Sequence, residues 1–320
     1  MRYIVRRAIT YAVVLFVALQ LDFILPRLAP GSAASVLAPA SKFAPQAAAL
    51  ITARFGLDQP LSVQYVLFLK NIFLNWPPFF GVSFVYYPIP VTTLFFQRFL
   101  WTLLLIGTSF ALAVIISYFM AAAATLRRAG KFDIGALYTS VVLQAVPVYW
   151  FALVLLWVFG VYLGWLPLFG NAAFGATGQS YVVSVAEHAI LPITVLTLSQ
   201  LGENYMLLRG SAQEVLQSDY ITSAKTRGLK NSTLSFTYIM RNSLLPFVSI
   251  SSFSIASLIS RVVLVEAVFG YPGVGDLIVD AALGRDFPVL QGSLFLVTVI
   301  VIIGGLVGDV LLTRLDSRIK

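Results

Sequence analysis

Ser218-Asp219-Tyr220-Ile221-Thr222-Ser223-Ala224-Lys225-Thr226-Arg227-Gly228-Leu229-Lys230, followed by Arg241-Asn242-Ser243-Leu244-Leu245-Pro246, forms a polar, basic island in a greasy chain. The sequence on both sides of it is apolar enough to sit in a bilayer. The island is too long and too basic for a simple turn between spans. It reads instead as a docking surface for another protein, through which the chain is driven.

Working outward, the composition fixes the solvent. Of 320 residues, 59% are hydrophobic and 11% charged, and the mean hydropathy is +0.90. A soluble globular domain carries about 25% charged residues. Several stretches reach the roughly 20 apolar residues that cross a hydrocarbon core. A membrane β-barrel requires short alternating segments, and the sequence has none. The expected class is therefore an all-α polytopic membrane protein.

The net charge of +8 does not point to nucleic acid. Most of the Lys and Arg fall at four places: Arg2, Arg6 and Arg7; Arg127, Arg128 and Lys131; Arg209, Lys225, Arg227, Lys230 and Arg241; and Arg314, Arg318 and Lys320. These places alternate with the apolar blocks, as cytoplasmic loops do under the positive-inside rule. The chain has no cysteine, which removes disulfides, thiolate metal sites and thiol nucleophiles.

In chain order, the expected spans are Ala8–Leu28, Phe99–Ala123, Ile134–Leu163, His188–Leu208, Leu244–Val265 and Val289–Leu312. Six spans put both termini on the cytoplasmic side. The chain then divides into 1–28, an inner tip and first helix; 29–97, an outer segment rich in aromatics and proline; and a core, 98–320. The core contains the island, within a cytoplasmic loop over 209–243. Met1–Arg7 before an apolar block resembles a signal peptide, but the block is long and further spans follow, so it reads as a retained anchor. Pro147 should kink the third span and free backbone groups that its neighbours must satisfy. Serines 249, 251, 252, 254, 257 and 260 stud the fifth span. They serve either close helix packing or a wet pathway.

Within the island, Tyr220, Ile221 and Ala224 share one side at helical spacing, while Thr222, Lys225 and Thr226 point elsewhere. Asp219 is the expected N-cap and Gly228 the left-handed stop. Asn231 or Ser232 starts a second helical piece leading to Arg241. Ionisable groups within spans tend to be functional, which singles out Glu203, Arg261, Glu266 and Asp309 for either a translocation path or pairing between helices. Arg261 and Glu266, five apart, are poorly placed to pair with each other. His188 is the only histidine and is expected at the interface. No nucleophile elbow accompanies the serines, and no catalytic or metal-ligating residue is assigned.

Asp219-Tyr220, Ala224-Lys225, Arg227-Gly228-Leu229, Arg241-Asn242 and Leu245-Pro246 resemble the cytoplasmic loop of binding-protein-dependent ABC importer permeases, in particular the oligopeptide/dipeptide/nickel subfamily. The likeness continues through Val265-Glu266-Ala267-Val268-Phe269, Tyr271-Pro272-Gly273, Arg285-Asp286-Phe287-Pro288, Gln291-Gly292, Asp309 and Leu315-Asp316-Ser317-Arg318-Ile319. In the first half it rests on Pro30-Gly31, Gly56-Leu57-Asp58-Gln59-Pro60 and Gln64-Tyr65. There are departures. The family's Glu-Ala-Ala triplet stands here as Thr222-Ser223-Ala224, Ser32 replaces an acidic residue, and the outer aromatic run is untypical of peptide transporters.

The resemblance implies the six-helix type I importer fold. It implies a second homologous permease in a heterodimer, two cytoplasmic ATPase subunits, an extracytoplasmic solute-binding protein, and residence in the plasma membrane. It also assigns Asp219, Tyr220, Ile221, Ala224, Lys225, Arg227, Gly228, Leu229, Arg241, Asn242 and Pro246 to the contact with the ATPase. There the short helix acts as a lever, its apolar face gripping the ATPase and its basic edge orienting it. The chain has no G-x-x-x-x-G-K-[ST], so ATP and Mg belong to the partner ATPases and no cofactor is expected on this chain. The implied solute is a di- or oligopeptide, with oligosaccharide as a second class. A secondary transporter driven by an ion gradient is the alternative; it calls for inverted repeats, which the sequence does not display.

Overall fold

The computed structural model describes residues 2–28, 58–74, 80–126 and 130–315. Pro30, Gly31, Gly56, Leu57, Trp76, Arg127, Arg128 and the tail 316–320 lie outside the described residues, as do the side chains of Arg2, Arg6, Asp309, Arg314 and the serines 249, 251, 252 and 254. Among the described residues the chain is helical, with a single isolated β-bridge, Val82 to Pro90. The helices are α1 (Arg2–Leu28), α2 (Leu61–Phe73), α3 (Val91–Leu126), α4 (Lys131–Ala145), α5 (Val148–Leu155), α6 (Gly178–Leu216), α7 (Asp219–Thr226), α8 (Arg241–Phe269), α9 (Val274–Leu283) and α10 (Phe287–Leu315). A π turn, Leu156–Tyr162, extends α5; a helical turn, Asn231–Thr233, and a second π turn, Leu234–Met240, lead into α8.

Among the described residues, three helical segments are long and apolar enough to cross a membrane: Val91–Thr125, Gly178–Leu216 and Phe287–Gly308. Two bent pairs qualify when taken together: Ser257–Phe269 with Val274–Leu283, and Lys131–Ala145 with Val148–Tyr162, which meet at 98°. The expected proline kink in the third span is thus a full break. Its cause is local. Proline disfavours the helical region for the residue before it, and Val146 accordingly adopts ψ 122° and ends α4. Most helices run past the ends expected from hydropathy, α6 by the widest margin. Hydropathy marks the hydrocarbon core, whereas backbone hydrogen bonding continues wherever nothing breaks it.

The chain divides into two compact units, Met1–Trp101 with Gly273–Leu306, and Thr102–Pro272 with Val307–Lys320. In the first, Leu19, Ile72, Phe80, Val91, Leu94, Leu277, Ala281, Val289 and Phe295 form the core. Asp286 fastens its irregular part. The carboxylate accepts from the Ser83 hydroxyl, from Val85 N at 3.0 Å and from Val289 N at 3.4 Å. Charge-assisted bonds to backbone N–H groups are among the stronger ones available. A carboxylate here substitutes for the strand partners that 82–90 lacks. Arg98 and Asp276 pair at 2.9 Å in the same unit.

In the second unit, α6 packs most extensively against α8 and α4. Gly202 marks the closest approach of α6 to α4: a Cβ there would sit 2.5 Å from the Ser140 carbonyl oxygen. Gly107 in α3 has open space instead. The same substitution should therefore act in opposite directions. Gly202→Ala is expected to cost about 1–3 kcal/mol by overpacking. Gly107→Ala should gain up to about 1 kcal/mol from reduced chain entropy. Thermal unfolding of the two purified variants in detergent checks this, and a loss at Gly107 matching that at Gly202 would contradict it.

Candidate functional site

The island is almost wholly helical. α6 continues to Leu216, two residues separate it from α7, and four separate α7 from the turn at Asn231. Ser218, not Asp219, occupies the N-cap position of α7. Its hydroxyl turns back to the Val215 carbonyl at 2.5 Å, so no side-chain cap forms. Asp219 is the first helical residue, where its charge favours the positive end of the helix dipole. Gly228 has the expected left-handed backbone, φ 73°, and its N–H bonds to the Lys225 carbonyl at 3.0 Å.

The apolar side of α7 requires a correction. Ile221 is fully buried and Ala224 nearly so, in a core with Tyr205, Leu208 and Ala212 of α6 and with Leu234, Ile239 and Met240. Leu229 packs against the same core. That face is spent on the chain itself and cannot grip a partner, because apolar side chains take the nearest apolar surface. What remains exposed is a polar edge of Thr222, Ser223, Lys225, Thr226 and Arg227, with Tyr220 beside it. Asn242 joins the two parts of the island: its amide donates to the Tyr220 hydroxyl at 3.3 Å and to the Tyr238 carbonyl at 2.7 Å. Arg241 is exposed, and Pro246 lies inside α8.

Arg209, counted above only as a basic residue, proves to be structural. Its guanidinium makes a bidentate pair with Asp133 at the start of α4, Nε to Oδ1 at 2.5 Å and Nη2 to Oδ2 at 2.8 Å. The Tyr205 hydroxyl adds a bond to Oδ1 at 3.3 Å. The Asp133 side chain is 3% exposed. Sequence reading passed over Asp133 because it sits in a basic turn. An acid at the edge of an apolar run, facing no local base at helical spacing, was the available signal.

The four ionisable candidates separate. Glu266 is fully buried and accepts the Thr102 hydroxyl at 2.7 Å. Arg261 turns away from it, to Glu203 of α6 at 3.1 Å and to the Ser199 carbonyl at 3.1 Å. Both side chains of that pair keep partial exposure, 26% for Arg261 and 34% for Glu203. A partly exposed pair held through one nitrogen contributes about 0–1 kcal/mol, so it can open. The pair at Asp133 is bidentate and its carboxylate is buried. Asp309 cannot be placed, since its side chain lies outside the described residues. His188 hydrogen-bonds within its own helix to the Ser184 carbonyl at 2.7 Å. Among the described residues no group of acids and histidines could hold a metal ion.

These features define a polytopic helical membrane protein with charged groups inside its helix bundle and a short, internally anchored helix between two of its long ones. The chain belongs to the family of binding-protein-dependent transport system inner membrane components, whose model matches residues 113–320. The N-terminal region model of the same systems matches residues 1–106. The chain is 33% identical to the oligopeptide transport system permease protein AppB of Bacillus subtilis, over 99% of each chain. It is 31% identical to the oligopeptide transport system permease protein OppB of Haemophilus influenzae, over 100% of this chain and 99% of that one. It is 30% identical to the di/tripeptide transport system permease protein DppB of Pseudomonas aeruginosa, over 94% and 93%. It is thus a membrane component of a transport system.

Proposed function

We propose that this chain is the permease subunit of an ATP-driven importer that moves di- and oligopeptides across the plasma membrane. The observation that carries the reading is end-to-end likeness to relatives named as oligopeptide and di/tripeptide permeases. Partners follow from that system: a second permease, two ATPase subunits and a solute-binding protein. Counting α1 and each broken pair as one span, beside the three long helices, gives six, with both termini cytoplasmic and 29–97 outside. On this reading α7 is the coupling helix. It meets the ATPase by the polar edge at Lys225 and Arg227, while Ile221 and Ala224 anchor it to α6 and α8, so a push on the edge reaches the spans.

Vesicles containing the assembled transporter, the solute-binding protein and internal ATP test the reading. Uptake of a labelled tripeptide is expected, and it should stop without ATP. Uptake of an oligosaccharide but no peptide would overturn the substrate class. Uptake driven by an ion gradient without ATP would overturn the class of transporter.

A further inference from the structure

We propose that Arg261 takes the free C-terminal carboxylate of a peptide in transit, and that Glu203 holds the guanidinium when no solute is present; this rests on the peptide reading above. The exposed positions of α3 are largely apolar, as Leu100, Leu103, Leu112, Ile115 and Phe119 illustrate. That is what a lipid-facing surface requires. α8 differs: Ser257 and Ser260 are exposed beside Arg261, and Glu203 faces them from α6. Charged groups at membrane depth face the bundle interior or a water-filled cavity, so this polar face suits the path rather than lipid.

The partners of Arg261 point to the ligand. One guanidinium nitrogen donates to a carboxylate, the other to a backbone carbonyl, both at 3.1 Å. A peptide C-terminus offers the same two groups together, a carboxylate and the carbonyl before it. The planar fork of arginine is matched to such two-point acceptors. Glu203 is thus an internal stand-in, and a passing carboxylate replaces it like for like. The Arg209–Asp133 pair cannot serve, because its carboxylate is buried and engaged through both oxygens.

The test uses the assembled transporter with its unaltered solute-binding protein. Initial uptake is measured for a free tripeptide and for its C-terminal amide, so that the binding protein's own preference cancels between variants. Arg261→Gln should lower the acid-to-amide ratio about tenfold, the scale of one lost hydrogen bond to a charged group. Arg261→Lys should keep most of the ratio. Glu203→Gln removes the competitor and should raise it. A purely structural pair predicts that Arg261→Gln and Glu203→Gln lower uptake of both forms alike, which overturns the assignment; so does a second permease chain covering this face. If Arg261→Gln fails to accumulate, Glu203→Gln decides alone: an unchanged ratio overturns the assignment. Absence of uptake of either form by the unaltered assembly overturns the peptide reading instead.

Discussion

Arg209→Ala is expected to destabilise the chain by about 3 kcal/mol, the lower end of the cost of breaking a buried pair from one side. Asp133→Ala should cost markedly less. The asymmetry comes from burial. Removing the arginine leaves the Asp133 carboxylate, 3% exposed, without its bidentate guanidinium. Removing the aspartate leaves a guanidinium that is 21% exposed and can reach water. The double variant Arg209→Ala/Asp133→Ala should fall closer to Asp133→Ala than to the sum of the two, because contacting residues do not add. Unfolding midpoints in detergent for the four proteins close the cycle. Equal losses for the two single variants, or strict additivity, would remove this pair as the tie between α4 and α6.

Ala224→Trp is expected to cut solute uptake by more than tenfold while the chain still accumulates in the membrane. Ala224 is 5% exposed within the core that joins α7 to α6 and α8. An indole cannot fit there without displacing α7, since close-packed interiors register even a methylene. The displaced helix keeps its polar edge but loses its anchorage, so a push on it no longer reaches the spans. Gly228→Pro should uncouple by another route. Proline holds φ near −65°, incompatible with the 73° found here, and it removes the N–H that bonds to Lys225. In both variants ATP hydrolysis should lose its stimulation by loaded binding protein. Normal uptake and stimulation in either would end the account of α7 as a lever.

Two residues that look alike in the sequence differ in the structure. Arg209 and Arg261 are both arginines near the ends of apolar runs. One closes a buried bidentate pair and governs stability. The other holds a partly exposed carboxylate through one nitrogen and is free to exchange. Their difference lies in partners 76 and 58 residues away, and no local spacing carries that information.

Much was nevertheless legible. Low charge and long apolar runs determine a helical membrane protein, because a backbone in lipid must satisfy its own hydrogen bonds. A bend at Pro147 and the stop at Gly228 were readable, since each follows from the φ/ψ limits that one residue type imposes. The island was recognisable as a short stopped helix with one apolar side. Periodicity says which residues share a face; it does not say what covers that face. Only the tertiary structure decided that Ile221 and Ala224 are buried in this chain's own core, beside the π turn Leu234–Met240, leaving the basic edge outside. It alone paired Arg261 with Glu203, sent Glu266 to Thr102 and gave Asp286 the fastening of 82–90. These are contacts between segments far apart in the chain, and their free energy exists only once the helices have packed.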